Sequence, residues 1–143
     1  MSNPRSIDTE THLACMRQIH SAMEHIRRGD FECAITLAAA AEGMLPPTDE
    51  AHFRQKMLAL EKAFGDEKKF KGINNFINWL KHGTLVKGGP RIETATISLL
   101  EVHVTIYRAI TKFGAVYDDV SPLMASYLKQ LVTELQTNEN LQF

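Results

Sequence analysis

Residues 74–83 read "NNFINWLKHG": three asparagines, a lysine and a histidine close an apolar-periodic run before a glycine. Asn74, Asn78 and His82 recur at steps of four, which puts them on one ridge of a helix, with Lys71, Asn75 and Lys81 beside them. A histidine on such a ridge can take or give a proton near neutral pH. An asparagine can orient it, or donate to an anion developing in a transition state, and the lysines can hold phosphate. The same letters also describe a solvated helix end, because the helix dipole favours His and cations near the C-terminus. On the other side of this helix Phe70, Ile73, Phe76 or Ile77, and Leu80 form an apolar stripe, expected to be buried.

Other chemistries find less support. Six histidines invite a metal centre, but Glu10 and His12, Glu50 and His52, and Glu101 and His103 are each two apart. That is roughly 200° around a helix, so no pair can put both ligands on one face. His20 and Glu24 could share a face, but two ligands do not complete a site. Cys15 and Cys33 lie in apolar helical patterns without a C-x-x-C, and are expected to be buried free thiols. No G-x-S-x-G appears, and the glycines at 83, 88 and 89 are wrongly spaced for a phosphate-binding P-loop. No metal and no cofactor are expected.

The elements that must position the ridge follow from periodicity and punctuation. Asp8 or Thr9 is a candidate cap for a first helix with Glu10 in its first turn and Leu13, Met16, Ile19 or His20, Met23 and Ile26 inward, closed by Gly29. Asp30 then caps a second helix that buries Phe31, Ala34, Ile35, Ala38 and Leu45 and stops at Pro46-Pro47. Thr48 or Asp49 starts a third, with Phe53, Met57 and Leu60 inward, and Asp66 starts the fourth, which carries the ridge. After a loop, "GTLVKGGPR", the longest helix is expected from about Ile92 to Phe113, with Ile97, Leu100, Val104, Tyr107 and Ile110 inward. Ser121-Pro122 opens the last helix, whose apolar residues are Leu123, Met124, Tyr127, Leu128, Leu131 and Leu135. No strand is indicated. The expectation is an all-α, antiparallel bundle of five or six helices, with a tail at 1–8, one domain at 9–136 and a polar tail at 137–143.

Composition bounds the function. With 16 basic and 17 acidic residues and a formal charge of -1, no global basic excess points to nucleic acid or an anionic membrane. No apolar stretch reaches the ~18 residues of a membrane span, and "MSNPRSIDTETH" lacks a signal-peptide layout. A soluble, cytoplasmic protein is expected. Gly29, Ala34, Ala38, Ala41 and Pro46 fall at tetratricopeptide spacings, but such repeats need about three stacked units and no second copy exists. A two-helix hairpin with small contact residues accounts for the same letters.

"AITLAAAAEGML" (34–45), followed some thirty residues on by "NNFINWLKHG", resembles the HEPN superfamily, in particular small bacterial HEPN-like proteins. These carry an "ITLAGAAEEIL"-type second helix and a later RN-x-x-x-H segment, and the resemblance spans about residues 12–113. It implies a helical bundle, often homodimeric. Many members are metal-independent ribonucleases in which arginine and histidine meet at a dimer interface; others bind RNA, nucleotides or a nucleotidyltransferase partner without catalysis. Carried over, His82 matches the motif histidine and Asn78 the polar residue after the arginine, but the arginine falls on Ile77. Loss of a preorganised donor to transition-state charge typically lowers rate by about 10²–10³, and Lys81, Lys71 or Arg91 could replace it only if the fold brings one there. The resemblance therefore implies a HEPN-like bundle without nuclease activity, acting as a homodimeric interaction or ligand/RNA-binding module with Asn74, Lys71 and Lys81 on its binding ridge. Two alternatives are an endoribonuclease using His82, Asn78 and a displaced cation, and a structural adaptor bundle unrelated to HEPN.

Overall fold

A computed structural model describes residues 5–48 and 67–137. Among the described residues five helices form and no strand: α1 (Thr11–Arg28), α2 (Phe31–Met44), α3 (Glu67–His82), α4 (Leu99–Tyr117) and α5 (Pro122–Thr137). The all-α bundle expected from periodicity is what folds. The helix expected to begin at Thr48 or Asp49, the Asp66 start and the tail beyond Thr137 lie outside the described residues.

α1 and α2 form the tightest pair, and the reason lies in small residues. Ala22 of α1 and Ala34, Ala38 and Ala41 of α2 are all fully buried, so the two backbones approach closely enough for the Cys15 thiol to donate to the Ala41 carbonyl at 3.3 Å. Burial of Cys15 pushes its pKa up to about 11, opposed in part by the charge of Lys112. The turn between the helices needs Gly29, which sits at φ 79. In that left-handed conformation its N–H reaches Ile26 O at 3.0 Å and the Asp30 N–H reaches His25 O at 2.9 Å, which satisfies the last carbonyls of α1. Against this pair α4 lays Val102, Ile106, Ala109, Ile110 and Phe113, and α5 adds Met124. α3 packs on α2 and α4, which places its polar ridge at the edge of the core.

Several expectations need correction. α1 starts at Thr11, with Glu10 as an extended cap residue and not in the first turn; no side chain bonds the first N–H groups, so neither Asp8 nor Thr9 caps it. Asp30 takes the N-cap position of α2 as expected, but its carboxylate lies 3.4 Å from His25 Nδ1 and does not bond the first turn of the helix. Cys33 is exposed, because the buried phase of α2 runs through Ala34, Ile35, Ala38 and Ala41 and leaves position 33 on the opposite side. Leu123 is 58% exposed for the same kind of reason: the inward phase of α5 is set by Met124 and Leu131.

The largest error concerns α4, which begins at Leu99 and not near Ile92, and ends at Tyr117 and not Phe113. Ser98 and Glu101 form a capping box, in which the Ser98 N–H donates to Glu101 Oε2 at 2.6 Å and the Ser98 hydroxyl bonds the same carboxylate. The start of the segment before it is tied to the end of α3 and is not helical. Ile92 N–H donates to Gly83 O at 3.0 Å, the Trp79 indole N–H donates to Ile92 O at 2.7 Å, and Thr84 and Arg91 form an isolated antiparallel bridge. The start of α5 follows expectation: Pro122 opens it, and the Ser121 hydroxyl accepts the Met124 N–H at 3.2 Å.

Candidate functional site

The ridge of α3 is amphipathic as its spacing requires. Ile73 is 1% exposed, while Ile77 and Leu80 are half-buried and pack against the central core. Asn74, Asn75, Lys81 and His82 are exposed, and Asn78 is half-buried. The Lys71 side chain lies outside the described residues. Position 77, where the HEPN pattern carries arginine, is therefore part of the apolar face of this helix.

Asn74, Asn78 and His82 share one ridge but face three different surroundings. The Asn74 side-chain oxygen accepts from Arg108 Nη1 at 3.1 Å. The other arm of that guanidinium pairs with Glu42 of α2 at 3.1 Å, and both side chains of the pair are largely buried, 16% and 15% exposed. Lys112, one turn beyond Arg108 on α4, donates to the Glu42 backbone carbonyl at 3.1 Å and so helps satisfy the C-terminal end of α2. Thus the two stretches singled out in the sequence, 34–45 and 74–83, are tied together through Arg108. Sequence reasoning missed Arg108. Its signal was the pair Arg108 and Lys112, four apart, which interrupts an otherwise apolar helix.

Asn78 turns the other way. Its amide donates to Leu85 O at 3.2 Å and fastens the loop that follows α3. His82 closes the helix at the solvent boundary and makes no hydrogen bond to another described residue. Gly83 follows at φ 77, with its N–H on Trp79 O at 2.7 Å. Arg91 comes back beside this turn: a Cβ placed on Gly83 would lie 4.0 Å from the Arg91 guanidinium carbon. Arg91 is exposed and its Nε donates to Glu93 at 3.0 Å. The end of α3 therefore exposes Lys81 and His82, with Arg91 beside Gly83, as a basic rim, while Asn74 and Asn78 are engaged within the fold. Such a rim can bind a phosphate. An in-line transesterification would further need a donor aimed at the same phosphate as the histidine, and the Asn78 amide is directed at Leu85.

Among the described residues no three His, Cys, Asp or Glu side chains gather as a metal site, and no helix is long and apolar enough to cross a membrane. No protein-family model, curated protein or solved structure matches this chain.

Proposed function

We propose that this chain is a cytoplasmic, HEPN-like bundle that works without ribonuclease chemistry, as a homodimeric module that binds RNA or another phosphate-bearing ligand. The observation that carries this reading is Ile77. The residue at the arginine position is packed against the core, so the charge that would stabilise a phosphorane-like transition state is missing from its expected place. Asn78 supports the same reading, since its amide is bonded to Leu85 O. What is left on the surface, Lys81, His82 and Arg91, suits charge-assisted contact with a phosphate backbone.

One observation favours a second reading, a metal-independent endoribonuclease. Arg91 lies beside Gly83 and hence next to His82 along the chain, so it is the displaced cation such an enzyme would use. Purified protein with a labelled single-stranded RNA in EDTA separates the two. The non-catalytic reading expects intact RNA over hours and binding by fluorescence anisotropy that weakens steeply with salt. It also expects weaker binding in Lys81→Ala and Arg91→Ala. Cleavage abolished by His82→Ala would transfer the assignment to the enzyme. A strict monomer in light scattering would count against a cleft shared by two copies.

A further inference from the structure

A second concave site lies away from α3, where α1, α4 and α5 meet. It has a volume of about 320 Å³, at the small end of the range in which proteins hold organic ligands. Its apolar wall comes from Met23 and Ile26 of α1 and Leu99 of α4. Its polar wall comes from His103 of α4, one helical turn after Leu99, and from Tyr127 and Gln130 of α5. None of these residues belongs to the ridge that carries the proposed phosphate contacts.

The polar wall is built around a neutral pair, His103 and Tyr127. His103 Nδ1 and the Tyr127 hydroxyl are hydrogen-bonded to each other across the two helices, and their rings lie 5.6 Å apart. Burial holds the imidazole pKa down to about 4 and pushes the phenol well above its ordinary value, so both are neutral at physiological pH. A hydroxyl bonded once retains further capacity, and Gln130, whose amide N–H reaches Glu134 at 3.4 Å, retains a carbonyl acceptor. The two formal charges at its rim are already partnered: Arg27 pairs with Glu24 at 3.7 Å, and Glu134 accepts from the Gln130 amide at 3.4 Å. An organic anion or cation entering here would exchange water for neutral groups and apolar side chains, which is unfavourable.

We infer that this cleft between α1, α4 and α5 is a binding site for an uncharged aromatic or heterocyclic small molecule with one hydrogen-bonding group, its ring against Met23, Ile26 and Leu99 and its polar group on the Tyr127–Gln130 side. The site is independent of the phosphate-binding reading and stands or falls without it.

The test is a titration of the full ¹⁵N-labelled chain with indole, an uncharged ring with a single N–H, followed by NMR, beside parallel titrations with benzoate and benzylamine. Saturable shifts centred on Met23, Leu99 and His103 are expected with indole, with at least about fivefold weaker binding for either charged probe. Leu99→Trp, which fills the cleft, should abolish the saturation. Tyr127→Phe keeps the ring and removes the hydroxyl, and should weaken indole about fivefold through loss of one hydrogen bond. Absence of saturable shifts at millimolar indole would overturn the proposal. So would shifts that persist in Leu99→Trp, or binding of benzoate or benzylamine as tight as that of indole, and an affinity unchanged in Tyr127→Phe would overturn the placement of the polar group.

Discussion

Ile77→Arg restores, letter for letter, the residue that the HEPN pattern carries five positions before His82, and its outcome discriminates sharply. Ile77 is half-buried against the core. Full burial of an isoleucine side chain is worth about 1.5–3 kcal/mol, so half of it contributes roughly 1 kcal/mol. An arginine can lay its methylene stem along the same apolar surface only by carrying the guanidinium outward to water, which recovers part of that and adds ordering entropy. The expected net loss is about 1–2 kcal/mol, which for a chain of this size lowers Tm by about 3–7 °C. Ile77→Leu, which preserves volume, should stay within about 1 kcal/mol of the parent. No nuclease activity should appear, because Asn78 remains bonded to Leu85 and the guanidinium emerges from the helix's inward side. The assays are urea unfolding for stability and cleavage of labelled RNA in EDTA for activity. If Ile77→Arg matched the parent in stability and cut RNA in a manner that Ile77→Arg/His82→Ala did not, the reasoning would be refuted. Position 77 would then be a surface site from which only the charge had been lost.

Two further outcomes test the surroundings. Glu42→Ala and Arg108→Ala should each cost about 2 kcal/mol, below the range for fully buried pairs because Asn74 and some solvent remain as partners. The double variant should show at least about 1 kcal/mol of coupling in urea unfolding, whereas strict additivity would mean that the pair does not hold α2, α3 and α4 together. His103 supplies a pH dependence. Its folded pKa of about 4 lies below the ordinary 6.5, so between these values the unfolded chain binds more protons. Its contribution is therefore complete above pH 6.5 and is lost as the pH falls toward 4, with His20, lowered by the same burial effect, acting in the same direction. In His103→Gln about 2 kcal/mol of the stability lost between pH 7 and pH 5 should disappear; an unchanged slope would show that the imidazole is not held neutral.

How much of this was legible beforehand differs from residue to residue. Helix punctuation by Gly29, Pro46-Pro47, Gly83 and Ser121-Pro122 acts over a few residues, through backbone conformation alone, and was readable. The stripe of Ile73, Ile77 and Leu80 opposite Asn74, Asn78 and His82 was readable too, since helical period converts spacing into faces. The start of α4 was misjudged because β-branched residues at 92–97 fit a helical period, while the capping box at Ser98 and Glu101 was the better local signal. Ile92 is also held out of a helix by Trp79 and Gly83, 13 and 9 residues before it.

The sequence by itself determined an all-α chain, the polar and apolar sides of α3, and isoleucine in place of arginine at position 77. Each is a matter of period, cap or identity, and needs no knowledge of what lies across the core. Only the tertiary structure decided that Arg108 joins Asn74 to Glu42, that Asn78 holds the Leu85 loop, that Arg91 returns beside Gly83, and that His103 and Tyr127 meet in a cleft. These partners are separated by up to 66 residues. Which of them meet is set by how four helices pack in register, and no spacing along one helix records that.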